Sequence, residues 1–196
     1  MTPLPPRLRG PAVFLAAFVV LAAISGPRLL RPSPNNHFSH MAQGWLDGRL
    51  ALAGEPPGYA TRTHDDWGRV WTLTLADGSV VRGQPCRTAA CKTHRGVESW
   101  WTTRGELLEL PRATIKQRQA SWYVTFPPGP AFVMLPGVAL FGLNFPDVLF
   151  TALCGALIAA FLFGFLERVR PAHTREHLWA VAAWTVASPA CFVAAH

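Results

Sequence analysis

Residues 122–147, WYVTFPPGPAFVMLPGVALFGLNFPD, hold an apolar stretch broken by Pro127, Pro128, Pro130 and Pro136. Its uncharged, well-formed helical part, from Pro130 to Leu143, is about 14 residues long, whereas a helix that crosses a bilayer needs about 20 at 1.5 Å each. Three windows around it are longer: Gly10 to Pro27, Val148 to Leu166, and Leu178 to the last residue. Half of the 196 residues are hydrophobic and 15% are charged, the balance of a membrane protein rather than a soluble domain.

The basic flanks orient these windows. Arg7 and Arg9 precede the first, and Arg168, Arg170 and Arg175 lie between the second and third. If residues 130–143 spanned the membrane, the two flanks would fall on opposite sides, against the bias of Lys and Arg toward the cytoplasm. If that stretch lies in the outer interface, both flanks are cytoplasmic. The second reading is preferred, with a short tilted span as its rival. The first window also has the basic start and apolar core of a signal peptide, but further apolar windows follow it and a retained anchor fits better. The expected location is the cytoplasmic (inner) membrane, with the N-terminus inside and residues 32–126 outside.

That outer segment carries most of the charge. Long translocated loops escape the charge bias, so a sequence pI near 10.1 does not mark a nucleic-acid binder. Anionic lipid headgroups or phosphate-bearing lipids are the more economical partners, and no nucleic acid is expected. Four residues separate Cys86 from Cys91 in PCRTAACKT, a spacing that can close a small disulfide loop outside the cytoplasm. Half of a metal site with His94 is the alternative. Cys154 and Cys191 sit in apolar windows and read as small core residues.

In NNHFSHMAQGWLDGRL, Phe38, Met41, Ala42, Trp45 and Leu46 fall on one helical stripe, and Asn35 or Asn36 can cap its start. His37, His40, Gln43 and Asp47 take the other face. Such an amphipathic helix after an anchor is expected to lie flat on the bilayer, its polar face toward whatever the outer segment binds. His37 and His40, with Asp47 two turns on, could form a metal or acid–base cluster, although histidines so placed are commonly solvated surface residues.

A β-rich insert follows over residues 59–124. VWTLTLADGSVVRG alternates, with Trp71, Leu73 and Leu75 on one side, and turns at Asp77-Gly78. SWWTTRGELLEL turns at Arg104-Gly105, and a further strand leads to Trp122 and Tyr123. Asp65-Asp66 is the adjacent acidic pair of the chain. Paired carboxylates can bind a divalent cation or set a general base beside a stabilising charge, and an acidic turn before a strand is the plainer reading. Lys116 and Arg118 could pair with a phosphate at the outer interface, or snorkel as basic side chains do at a membrane edge. The sequence has no Gly-rich phosphate loop, no HExxH and no internal repeat.

An anchor, an outer helix ending in WLDGRLAL, then SWYVTFPPGPAFVMLPGVALFG, NFPDVLF and an Arg-rich turn resemble the start of the multi-spanning GT-C glycosyltransferases. The likeness is to the branch with polyprenyl-phosphate mannosyltransferases and lipid A aminoarabinose transferases. It covers about half of the chain, mainly residues 32–52 and 121–170; the β insert has no counterpart in the family pattern. The resemblance implies two juxtamembrane helices in the outer loop, the second after a proline motif near the active site, matched here by Phe126-Pro127-Pro128 and residues 130–141. It implies transfer of a sugar from a polyprenyl phosphate to an acceptor outside the membrane, with a carboxylate as general base near the end of the first helix. Asn35-Asn36 stand where that acid is expected, and an amide cannot take a proton at neutral pH. His37, Asp65 or Asp66 would have to replace it. Members of the family have about a dozen spans, so the resemblance implies an N-terminal part, either a truncated product or a piece completed by further spans of a partner chain.

The expectation is thus an α-helical integral membrane protein with about three transmembrane helices, two interfacial helices and a small extracytoplasmic β-rich insert. Its segments are 1–31 (tail and first span), 32–58 (outer helix and linker), 59–124 (β insert), 125–146 (Pro-rich interfacial helix) and 147–196 (two spans with an Arg-rich turn). Candidate catalytic residues are Asp65, Asp66 and His37. Candidate substrate-binding residues are Asn36, His40, Lys116, Arg118, Pro127 and Pro128. No dedicated metal ligands are assigned. The runner-up function is a non-catalytic, membrane-anchored binding or assembly subunit that meets its partner through the β insert.

Overall fold

The computed structural model describes residues 5–34, 36–56, 67–88, 91 and 96–187. They form two compact units, one of residues 1–36 with 140–196 and one of residues 37–139.

The first unit is helical. Helix α1 covers Pro6–Ser25, with a Pro at its first turn where no backbone donor is lost. Later in the chain come α4, Asp147–Val169, and α5, Thr174–Ala187. Helices α1 and α4 run antiparallel. Arg9, near the start of α1, pairs with Glu167 at the end of α4; Leu21 packs on Ala152, and Ser33 meets Asp147. The seam is made of small residues. Val13 and Ala17 of α1 pack against Ala156, Ala159 and Phe163 of α4 and Val181 of α5. Alanine at these positions lets two backbones approach closely, the usual way of packing helices in lipid.

Two described helices are long and apolar enough to cross a membrane, α1 with the turn after it and α4. Their outer faces carry Leu15, Val19, Phe161 and Phe165, all more than half exposed. The expected third window begins inside α5, whose 14 residues make about 21 Å of helix against a hydrocarbon core of about 30 Å. The rest, 188–196 including Cys191, lies outside the described residues.

The second unit is built on a five-stranded antiparallel sheet: β1 Trp67–Leu75, β2 Val80–Pro85, β3 Val97–Thr102, β4 Leu107–Pro111 and β5 Ile115–Val124. The order is β4-β3-β2-β1-β5, a four-strand meander, β1 to β4, with β5 returning beside β1. Both expected hairpins form, and Gly78 and Gly105 take the positive φ their turns require. Leu73, Trp100 and Leu110 make the core, with Val81 and Ile115 against them, so all five strands feed one cluster. That demands a curled sheet. Arg118 of β5 also reaches Glu98 of β3, three strands away in the order, at 3.0 Å. Gly83 allows the curl, since a Cβ there would run into the Trp101 carbonyl of β3.

Helix α2, His37–Leu46, and helix α3, Gly129–Phe141, belong to or begin in this same unit. Of the expected segments 32–58, 59–124 and 125–146, the described residues within 37–139 fall in this unit and those within 32–36 and 140–146 in the helical one. Helix α3 has 13 residues, about 20 Å, with Pro136 inside it and Phe132, Val133 and Leu140 exposed.

Candidate functional site

The candidate site forms where α2 meets the start of β1 and the end of β5. His37 stacks on Trp67 with ring centroids 4.2 Å apart and meets Phe126 edge-on at 5.0 Å. His40 stands edge-on to Trp67 at 5.7 Å, and Phe38 packs on Phe126 at 6.0 Å. Trp67 is itself buried, and the Leu52 N–H donates to the Trp122 carbonyl beside it. The helix thus turns its histidines inward. Ser39, Ala42 and Gly44 are its buried positions, whereas Leu46 of the expected apolar stripe is exposed. The cause is the aromatic surface offered by Trp67 and Phe126, which holds imidazole rings as readily as an aliphatic face.

Burial of the His40 imidazole holds its pKa below the ordinary histidine value, because desolvation penalises the charged ring. In the unfolded chain His40 takes up a proton first, near pH 6.5. Its contribution to stability is therefore complete above that pH and declines as the pH falls through 6.5 toward the lower folded value. Hydrogen exchange of residues 37–46 is expected to speed up between pH 7.5 and 5.5 beyond its intrinsic pH dependence, and His40→Gln is expected to flatten that response. An unchanged response in the variant assigns it to another group.

The other predicted site residues are spread out. Asp47 does not join His40; its carboxylate accepts from Arg49 and from Gln43 Nε2, and the Arg49 bond holds its pKa below the usual range. Arg118 and Arg112 share Glu98, each at 3.0 Å. Lys116 and Arg118 lie at the far end of β5 from the proline motif: from Arg118 to Val124 the strand runs about 20 Å. Pro127 and Pro128 are exposed, and the Pro128 carbonyl accepts the N–H of Phe132 at the start of α3. Asp65 and Asp66 lie outside the described residues. Cys86 and Cys91 form a disulfide; His94, their alternative partner, lies outside the described residues. Among the described residues no group of three or more His, Cys, Asp or Glu side chains could hold a metal ion.

Asn36 belongs to the helical unit and has a different role from the expected cap. It is buried at φ 44°, its Nδ2 donates to the Leu143 carbonyl at 2.8 Å, and its backbone N–H donates to Ser33 Oγ at 3.1 Å. The Ser33 hydroxyl and N–H both donate to Asp147 at the start of α4. These bonds fasten together the two points where the chain leaves and rejoins the helical unit. Asn35 lies outside the described residues.

Two arrangements had no warning in the sequence. Arg69 places its guanidinium 5.1 Å from the Trp71 ring and 5.2 Å from that of Trp122, a cation held between two aromatic faces. Glu167 gathers Arg9, Thr174 and His177 from α1 and α5, with His177 Nδ1 2.7 Å from its carboxylate. In both, partners come from distant parts of the chain. Compared with protein-family models, curated proteins and solved structures, the chain matches none of them.

Proposed function

We propose that this protein is a membrane-anchored binding or assembly subunit, with α1 and α4 as its spans and residues 37–139 outside the cytoplasmic membrane as the part that meets a partner. The observation that carries this reading is the antiparallel α1–α4 pair, closed at one end by Asn36 on Leu143 and Ser33 on Asp147. A segment that leaves and rejoins the same end of two spans stays on one side of the bilayer, and α3 is too short to take it across. Arg7, Arg9, Arg168, Arg170 and Arg175 cluster at the other end, which favours a cytoplasmic N-terminus. Binding is favoured over catalysis because the candidate residues are already engaged or far apart: His37 is enclosed by rings, Arg118 is held by Glu98, and both lie at opposite ends of the sheet unit.

A second reading, transfer of a sugar from a polyprenyl phosphate in the manner of the GT-C enzymes, draws on one observation. Two short helices, α2 and α3, flank the sheet in sequence where that resemblance expects juxtamembrane helices. In it Asp65 or Asp66 would serve as base, with a divalent cation as an optional aid.

Deleting residues 59–124 is expected to release a co-purifying partner in a detergent pull-down while leaving membrane glycolipids unchanged. The same partners after deletion count against the binding reading. Loss of a glycolipid in the Asp65→Asn/Asp66→Asn variant supports the transferase.

A further inference from the structure

Helices α1 and α5 leave a groove between them. Its wider part, about 400 Å³, is lined by Arg9, Ala12, Ala16, Phe163, Thr174 and Leu178. A second part, about 170 Å³, shares Val13, Ala16 and Leu178 with it and continues to Val20, Ala182 and Val186. The two are one groove, walled mainly by alanine, valine and leucine, with Arg9 and Thr174 at one end and Thr185, whose hydroxyl donates to the Val181 carbonyl, along the second part. From Arg9 to Val20 the helix rises about 16 Å, which matches one leaflet of a hydrocarbon core about 30 Å thick.

The end where the groove opens is basic. Arg7, Arg9, Arg168, Arg170 and Arg175 stand there against Glu167 and Glu176. Glu167 is already engaged by Arg9, Thr174 and His177, and Arg7, Arg168, Arg170 and Arg175 are exposed. An occupant that suits both ends has an apolar tail one leaflet long and a negative head.

We propose that the α1–α5 groove is a binding site for one anionic phospholipid of the cytoplasmic leaflet, one acyl chain lying along Ala12, Ala16 and Ala182 and the phosphate among Arg7, Arg9 and Arg175. Arginine presents a fork of donors matched to phosphate oxygens, and a juxtamembrane cluster of basic side chains draws anionic headgroups. The bound lipid fills the space between two helices that otherwise touch little, and so ties α5 to the α1–α4 pair. This site rests on the membrane-spanning reading above.

The test is native mass spectrometry of the full chain released from detergent, titrated with phosphatidylglycerol or with phosphatidylcholine of the same acyl chains. One phosphatidylglycerol is expected to stay bound, with at least fivefold preference over phosphatidylcholine. Ala16→Leu, which fills the groove, is expected to reduce retention at least fivefold, and Leu15→Ala on the outer face of α1 to leave it unchanged. Arg7→Gln/Arg175→Gln is expected to erase the preference without touching the Glu167 network, which keeps the test informative if Ala16→Leu disturbs folding. Equal retention of the two lipids, or full retention in Ala16→Leu, overturns the site. A doubled mass that Ala16→Leu abolishes overturns it too, by assigning the groove to a second copy. Carbonate extraction of native membranes separates the two failures: release into the supernatant sinks the spanning reading, whereas a chain that stays in the pellet without lipid preference sinks the site alone.

Discussion

Leu73→Ala is expected to cost about 2–5 kcal/mol and to open the sheet without disturbing the helical unit. Leu73 is fully buried in β1, opposite Val81 in β2 and Arg118 in β5, and it packs on Trp100 and Leu110 of β3 and β4. A single curled sheet has no second core to fall back on, so the cavity left by the lost atoms touches every strand. The relevant measurement is hydrogen exchange on the full chain in a lipid nanodisc. Amides in 67–124 are expected to lose protection by about 30-fold or more, the factor that corresponds to 2 kcal/mol, while those of α1 and α4 keep theirs. Protection within twofold of the parent across the strands would mean that the strands do not share this core.

The second large effect is expected from Ala156→Leu. Ala156 is fully buried where α4 lies against Val13 and Ala17 of α1, with Ala152 and Ala159 one turn to either side. A leucine needs space that only separation of the helices can supply, and overpacking of this kind costs about 1–3 kcal/mol. For a chain of this length, the midpoint of thermal unfolding in detergent is expected to fall by about 2–10 °C. Leu157→Ala, on the adjacent and half-exposed face, serves as the control and is expected to shift it far less. If the two variants melt alike, the small-residue seam does not hold the helices together.

The parts of the fold that were legible in the sequence are those with a local cause. Asp77-Gly78 and Arg104-Gly105 announce hairpins because a tight turn needs positive φ, and the alternation through Trp71, Leu73 and Leu75 matches the period of a strand. The windows behind α1 and α4 stand out by length and lack of charge. The return of β5 to β1 was not legible, because pairing between strands forty residues apart leaves no mark in either strand.

The candidate site was legible only in its parts. His37 and His40 were singled out, but not their contact with Trp67: the helical period assigned them to a polar face, and imidazole can serve a polar or an aromatic surface. Asn36 could be recognised as an amide where the resemblance expects an acid, yet its bond to the Leu143 carbonyl joins residues more than a hundred positions apart. For the same reason nothing in the sequence placed Arg118 on Glu98, or Arg9 and His177 on Glu167.

The proposed topology has α1 and α4 both spanning, with residues 37–139 on the side opposite the arginine-rich end. Single cysteines at Arg104, in the β3–β4 turn, and at His173, in the turn before α5, test it most directly when probed in intact cells with a membrane-impermeant maleimide. Both positions are exposed, Cys86 and Cys91 are tied in a disulfide, and Cys154 and Cys191 are replaced by alanine in the background. The account predicts that Arg104→Cys is labelled from outside and His173→Cys only after permeabilisation. Labelling of both from the same side, or of His173→Cys alone, would contradict it.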